Sequence, residues 1–310
     1  MRPGAFLDAR LVLPWLSLAV LLGAVFWMRP NAMGYTGLNL LLNLSVPLAF
    51  ATVAQMIVVM VDDIDLSLGA FVGFVACVTA TFLNDTPALG VLILMGSVAA
   101  YAALGALIEY RKLPAIVVTL GMSFVWGGLA VLILPSPGGA SPGWLTAVVK
   151  AKTPLVPVSI LSCVVLAVAA HLLVTRSSLG TLLRAVGGNA RAVAREGWSL
   201  VRLRATAYAL AGVFGVLAGM ALVGLATSAD ANIAGRYTLL SIAGVILGGG
   251  AFTGGIVSPV GAVVGALTLT LAGSFLTFLR LSPDWQIGAQ GVILILVLAA
   301  RLLVRRRAAA

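Results

Sequence analysis

The chain has 310 residues and a formal net charge of +10, and 61% of its residues are hydrophobic while 9% are charged. A mean hydropathy of +1.14 excludes a soluble globular domain, because such a domain could not hide so much apolar side chain. The basic residues stand at the ends of apolar runs, which favours membrane-flanking Lys and Arg over a nucleic-acid-binding surface. The sequence therefore predicts an all-α polytopic membrane protein, with one transmembrane domain over residues 1–310.

Apolar runs of roughly 20 residues, the length that crosses a bilayer as a helix, predict about ten transmembrane helices, some of them broken. The first is expected to be an uncleaved span, since no small-x-small cleavage site follows it. The eighth is rich in Gly and too short to cross alone, which predicts a broken or half-spanning helix. The predicted spans are 11–28, 36–61, 66–83, 88–108, 113–134, 155–175, 203–226, 238–250, 259–279 and 285–304.

Small residues spaced four apart predict where helices pack closely, because glycine lets two backbones approach. Four such pairs are Gly69 with Gly73, Gly215 with Gly219, Gly244 with Gly248, and Gly261 with Gly265. Cys77 and Cys163 both lie inside apolar runs, so we interpret them as packing residues rather than as a disulfide.

Polar residues inside or beside apolar runs are the candidates for a transport path. The segment DDIDLSLG at 62–69 places three carboxylates between two apolar runs. Three interpretations of Asp65 stay open: a residue lining a substrate path, the N-cap of the next span, and a proton-relay acid. No span has an ionisable residue near its centre, which counts against proton coupling. Buried polar groups need partners, and a water-filled pathway would supply them. The predicted path residues are Asn43, Gln55, Asp65, Ser67, Thr119 and Ser123.

Two hydrophilic segments separate the predicted spans. The loop 135–154 opens with Pro and Gly, and Trp144 to Lys152 is predicted as a short interfacial helix. Two interpretations of this loop are equally supported: an amphipathic turn that lies on the lipid headgroups, and a docking surface for an external partner. The basic segment 176–204 carries helix punctuation: Asn189 is expected to cap a helix and Gly197 to end it. This segment is either a docking helix or an ordinary solvated loop.

The basic residues also predict orientation. With both termini in the cytoplasm, fourteen Lys and Arg residues lie inside and five lie outside, and the opposite orientation reverses this bias. The five outside are Arg29, Lys150, Lys152, Arg236 and Arg280.

Catalytic and nucleotide-binding motifs are missing from the sequence. It has no G-x-x-x-x-G-K-[ST], no HExxH and no G-x-S-x-G, and its one histidine, His171, ends an apolar run. We therefore predict no catalytic residue, no metal site and no ATP site in this chain.

Four segments in a fixed order resemble the permease subunits of bacterial ATP-binding-cassette importers for sugars, the ribose/xylose/galactose-type family. DIDLSLG at 63–69 is similar to the family's G-I-D-L-S-x-G, and LPAIVVTLG at 113–121 to its P-x-[FI]-[IV]-x-T-L-G. RSSLGTLLRAVGGNARAVAREG at 176–197 and SADANIAGRYTLLSIAGVILGGGAFTGG at 228–255 resemble two further family motifs. The chain departs from the pattern at Asp62 and Asp63, where the family has two small residues, and at Leu239 and Leu240, which replace an E-L pair.

The resemblance implies the fold of such a permease and a division of labour. Partner ATPase subunits would bind ATP and Mg²⁺, a periplasmic sugar-binding protein would deliver the substrate, and a second permease copy, identical or related, would complete the pore. The segment 176–204 would hold the coupling helix that docks on the ATPase, with Gly188, Asn189, Ala192, Arg195 and Gly197 at the interface. The predicted location is the bacterial inner membrane, as a multi-pass protein in the lipid bilayer that binds no nucleic acid. The alternative function is a self-sufficient secondary transporter or channel for a small polar solute.

Overall fold

The computed structural model describes residues 4–279 together with Trp285, Gly288, Gly291 and Val292. The described residues form twelve α-helices, a 3₁₀ turn at Pro30–Met33 and a π-helical turn at Leu172–Arg176. The helices are α1 (Gly4–Met28), α2 (Tyr35–Leu42), α3 (Ser45–Met60), α4 (Leu68–Asp85), α5 (Pro87–Arg111), α6 (Ala115–Ile133), α7 (Gly143–Val149), α8 (Val158–His171), α9 (Ser178–Arg195), α10 (Leu200–Ala226), α11 (Tyr237–Leu247) and α12 (Pro259–Phe278).

The all-α class is confirmed over the described residues, whereas the predicted number of about ten spans is not. Six described helices are long and apolar enough to cross a bilayer, and seven are if the bent pair α2–α3 counts as one span. The six are α4, α5, α6, α8 with its π-helical turn, α10 and α12. Two shorter apolar helices, Pro14–Met28 within α1 and α11, fall below that length. The tenth predicted span, 285–304, lies almost entirely outside the described residues.

The predicted span 36–61 is not one continuous helix, which corrects the sequence interpretation. It bends by 40° between α2 and α3. The cause is Pro47, which has no N–H to donate to the carbonyl of Asn43 and whose ring would clash with that carbonyl. The Asn43 carbonyl instead accepts the N–H of Val46 at 3.3 Å, a tighter turn that redirects the chain.

The eighth predicted span is only half of a membrane crossing. The helix α11 has 11 residues and so is about 16 Å long, against a hydrocarbon thickness of roughly 30 Å. The residues before it are irregular and run along α4, where a side chain at Gly73 would meet Ala231 and one at Gly69 would meet Ala234 and Thr238. Part of this non-helical backbone is therefore covered by α4, while Asn232, Gly235 and Arg236 in it are exposed.

The predicted glycine contacts are confirmed, and the structure shows which helices they join. A Cβ added to Gly261 would stand 1.8 Å from the carbonyl oxygen of Gly248, and one added to Gly265 would stand 2.2 Å from that of Gly244. Two predicted pairs thus face each other across α11 and α12, where the backbones touch. Cys77 and Cys163 are buried and free.

The connections between helices gather at two ends of the bundle, and α9, with Arg184, Arg191 and Arg195, lies at one of them. We call the basic end the one formed by the loop 61–67, the α5–α6 connection and α9, and the far end the one formed by α7 and the segments 134–142 and 227–236. At the far end, Gly138 and Ala229 exchange two backbone hydrogen bonds of 2.9 Å. The predicted helix in the outer loop is present as α7, with Trp144 exposed and Leu145 buried.

Candidate functional site

Four of the six predicted path residues meet in one buried group near the basic end. We call this group, together with Tyr101, the Asp65 cluster: Gln55, Asp65, Ser67, Tyr101 and Thr119. The five side chains come from α3, α5, α6 and the loop 61–67, and all five residues are 0% exposed. The sequence order gives no hint of this meeting, since Thr119 follows Asp65 by more than 50 residues.

The Asp65 carboxylate is the centre of this cluster. One of its oxygens accepts the backbone N–H of Ser67 at 2.7 Å and the Ser67 hydroxyl at 2.6 Å, and the other accepts the Tyr101 hydroxyl at 2.9 Å. With its amide oriented so that both of its polar atoms are paired, the Gln55 side chain donates to the carbonyl oxygen of Asp65 and accepts its N–H, each at 3.1 Å. The Thr119 hydroxyl accepts the N–H of Leu66 at 3.1 Å. These hydrogen bonds pair buried backbone N–H and C=O groups in the loop between α3 and α4, where no helix supplies partners.

The interpretation of Asp65 as the N-cap of the next helix is wrong in position. Ser67 occupies the N-cap of α4, and its own side chain makes no capping bond. Asp65 instead accepts the N–H two residues further on, which is an Asx turn that leads into the helix.

The other two predicted path residues lie apart from the Asp65 cluster. The Ser123 hydroxyl donates to the carbonyl of Leu120 within α6. Asn43 stands at the α2–α3 bend and lines a cavity of about 570 Å³ between α3, α7, α8 and α10. That cavity is mostly apolar, with Phe50 and Trp144 in its wall and Ser159 as one of its few polar residues.

A second charged group lies next to the Asp65 cluster, and the sequence interpretation missed it. We call it the Arg204 cluster: Asp63, Glu109, Lys112, Arg204 and Tyr208. Arg204 Nε lies 3.1 Å from an Asp63 oxygen, and its Nη1 donates to Glu109 at 2.6 Å. The Tyr208 hydroxyl donates to the same Asp63 oxygen at 3.2 Å, and Lys112 pairs with Glu109. The available signal was a pair of opposite charges at the predicted ends of two apolar runs: Glu109 directly after 88–108, and Arg204 just inside 203–226.

Burial dominates the electrostatics of this group. The side chains of Asp63, Glu109 and Arg204 are 8%, 7% and 16% exposed. Burial raises the pKa of Asp63 to about 6, because desolvation outweighs the opposing effects of Arg204 and the Tyr208 hydroxyl. A pocket of about 550 Å³ opens beside the pair, with Phe252 and Thr253 on its other side.

The basic segment 176–204 is mostly helical, and its predicted punctuation is present. Asn189 leaves the helical conformation with φ −158° and ψ 82°, and its side-chain oxygen accepts the N–H of Ala192 at 3.1 Å. This makes Asn189 an N-cap inside α9, with a further helical stretch before it that the sequence did not predict. Gly197 has φ +86°, and Trp198 donates to the carbonyl of Val193, which closes the helix in a Schellman motif.

The second half of α9 presents a surface that no described residue covers. Gly188, Asn189, Ala192, Arg195 and Gly197 are all exposed, whereas Val193 between them is buried. The first half anchors the helix, since a Cβ on Gly187 would stand 2.2 Å from the carbonyl oxygen of Met60. The geometry is that of a rigidly mounted helix with one small-residue, basic face in solvent.

Comparison with known proteins places the whole chain among transport proteins. A family model described as "Branched-chain amino acid transport system / permease component" matches residues 37–298. The ribose import permease protein RbsC of Escherichia coli (strain K12) is 28% identical over 294 residues, covering 91% of this chain and 90% of the relative. The galactose/methyl galactoside import permease protein MglC of the same strain is 28% identical over 308 residues, with 91% of each chain covered. The probable ABC transporter permease protein YphD, also from that strain, is 29% identical over 288 residues, covering 89% and 86%. No solved structure matches the chain.

Proposed function

The chain belongs to the family described as branched-chain amino acid transport system / permease component, and from that membership we propose that it is the transmembrane subunit of an ATP-binding-cassette importer for a sugar. The observation that carries the choice of sugar is the end-to-end similarity to permeases named for ribose and galactose import. The six long apolar helices agree with a multi-pass protein of the inner membrane. ATP and Mg²⁺ belong to a partner ATPase in this proposal.

The second half of α9 is the proposed ATPase seat. Its cap at Asn189 and its Schellman closure at Gly197 hold a short helix in one conformation, and its first half is packed against α3 through Gly187. In this proposal both termini lie in the cytoplasm, as the distribution of Lys and Arg along the sequence predicts.

The far end is the proposed contact for a periplasmic sugar-binding protein. The outer segment 134–142 is tied to 227–229 by backbone hydrogen bonds, and α7 lies beside them with Trp144 exposed. The cavity beside Asn43 lies toward this end, with a mostly apolar wall in which Asn43, Ser159 and Ser162 are the polar residues. A second permease copy would complete the path.

Reconstitution tests the energy source. The chain alone in vesicles should accumulate no sugar under a proton or a sodium gradient. Adding the cognate ATPase, the binding protein, any second permease and ATP should start accumulation. Gradient-driven uptake by the chain alone would overturn the importer proposal and favour a secondary transporter.

The variant Ala192→Trp tests the ATPase seat. The bulky ring should prevent close docking on the exposed face of α9, so ATP-driven uptake should fall while folded protein is retained. Ala99→Trp is the matched control, because Ala99 is exposed on the side of α5, away from both ends. Normal ATP-driven uptake by the Ala192→Trp complex would refute the assignment.

A further inference from the structure

The Arg204 cluster ties three separate parts of the chain together at the basic end. Arg204 lies in the second turn of α10, Glu109 near the end of α5, and Asp63 in the loop 61–67. Besides the two carboxylates, the guanidinium contacts the backbone carbonyl of Val61, to which its Nη2 donates at 3.4 Å. The guanidinium therefore donates hydrogen bonds to Glu109 and Val61, while Asp63 lies beside its Nε as an ion pair without a hydrogen bond. A planar guanidinium can face all three groups at once, which an ammonium does less well.

This cluster stands between the two functional regions already described. On one side, the four residues 196–199 join α9 to α10, so Arg204 follows the proposed ATPase seat by less than ten residues. In the first half of α9, Gly187 also packs closely against the carbonyl of Met60, the residue immediately before the loop 61–67. On the other side, the loop continues from Asp63 into the Asp65 cluster.

The loop 61–67 is therefore fixed at both of its ends by long-range contacts. Its first half is bound to α10 and α5 through Arg204, and its second half to α3, α5 and α6 through Asp65 and Leu66. A displacement of α10 at this end moves Asp63 with it, because Asp63 and Glu109 lose their shared counter-charge if they separate from Arg204. Buried ion pairs contribute little net stability but select one discrete arrangement, since breaking one leaves a desolvated charge.

We propose that Arg204 is a positioning residue which, through Asp63 and Glu109, transmits movement of α9 to the loop 61–67 during transport. This inference rests on the proposed function.

The test compares sugar imported per ATP hydrolysed in the reconstituted complex. Asp63→Asn and Arg204→Lys should each lower this ratio on the order of fivefold, while basal ATP hydrolysis is retained. Arg202→Lys is the matched control, since Arg202 is exposed, lies two residues before Arg204 and undergoes the same replacement. A ratio that changes less than about twofold in both variants would overturn the proposal. Absence of ATP-driven import by the wild-type complex would instead overturn the proposed function, so the two failures are distinguishable.

A triple variant separates transmission from stability. Asp63→Leu, Glu109→Leu and Arg204→Met together replace the buried charges by apolar side chains, a change that proteins often tolerate. The variant is made in a Tyr208→Phe background, because the Tyr208 hydroxyl would otherwise lose its acceptor on Asp63. We expect folded protein with a low transport ratio. Folded protein with the wild-type ratio would show that the cluster serves packing alone, and would refute the positioning role.

A distance measurement needs no destabilised variant. Spin labels at Asp62→Cys and Arg202→Cys report the loop against α10, and labels at Asp62→Cys and Ile116→Cys report the loop against α6; all three positions are exposed. Trapping the complex with ATP should shift the second distance and leave the first unchanged. A second distance that ATP does not shift, or a first that changes as much as the second, would overturn the proposal.

Discussion

The Asp65 cluster makes a sharp prediction about buried hydrogen bonds. In Asp65→Ala, the N–H of Ser67 and one of the two hydroxyl donors lose their acceptor, because the Ser67 and Tyr101 hydroxyls, 3.1 Å apart, can still satisfy one another once. Each buried donor left without a partner costs about 1–3 kcal/mol. We therefore expect the free energy of unfolding to fall by about 4 kcal/mol.

The matched variant Asp65→Asn keeps the geometry without the charge. Its side-chain oxygen can accept both Ser67 donors, and its amino group can donate to the Tyr101 oxygen, so every partner stays bonded. The expected loss is about 1 kcal/mol or less. Ser123→Ala is a second control, because the Ser123 hydroxyl bonds only within its own helix and its loss should be smaller still.

Thermal unfolding in detergent measures the difference. With about 2 °C per kcal/mol for a chain of this size, Asp65→Ala should unfold about 8 °C below wild type and Asp65→Asn within about 2 °C of it. Equal shifts for the two variants would refute the reasoning, since they would show that charge rather than the hydrogen-bond acceptor stabilises the cluster.

Three further predictions concern packing, an unpartnered hydroxyl and pH. Gly261→Ala should destabilise the protein by about 2–3 kcal/mol, because the added methyl group would meet the Gly248 carbonyl. The control Gly121→Ala should be neutral, because the space around Gly121 is open. Similar unfolding temperatures for the two variants would contradict this prediction. The Thr79 hydroxyl is buried and finds no hydrogen-bond partner in the part of the chain that the structure describes, so Thr79→Val should raise stability by about 1 kcal/mol, and a lower unfolding temperature would contradict the assignment. Burial raises the pKa of Asp63 from 3.8 to about 6, so the folded protein keeps a proton that the unfolded chain has lost. The stability of wild type relative to Asp63→Asn should therefore fall as pH rises from about 4 to about 7, on the order of 3 kcal/mol in all, and a difference independent of pH would refute it.

Much of the helix inventory follows from the sequence alone. Apolar runs place α4, α5, α6, α10 and α12 within a few residues of their observed ends, because a helix satisfies its own backbone and needs only a continuous apolar segment in lipid. The caps at Asn189 and Gly197 were also predictable, since each depends on hydrogen bonds among neighbouring residues. The close contacts of Gly244, Gly248, Gly261 and Gly265 followed from their spacing.

The sequence did not reveal how these helices combine. The bend before α3 follows from the effect of Pro47 on hydrogen bonding to the Asn43 carbonyl. Hydropathy does not show this effect, because Pro47 lies within a continuous apolar run. The irregular segment before the short α11 packs against α4, a tertiary contact that hydropathy does not show. The number of spans therefore depends on packing as much as on hydropathy.

Only the tertiary structure decided which polar residues act together. Gln55, Asp65 and Thr119 share one buried site, while Asn43 and Ser123, of the same type and in similar surroundings along the chain, lie elsewhere. Arg204 reaches Glu109 and Asp63 across 95 and 141 positions of sequence. Hydropathy and capping signals depend on residues within one or two helical turns along the chain. The partner of a buried charge depends instead on which helix packs beside it in the tertiary structure.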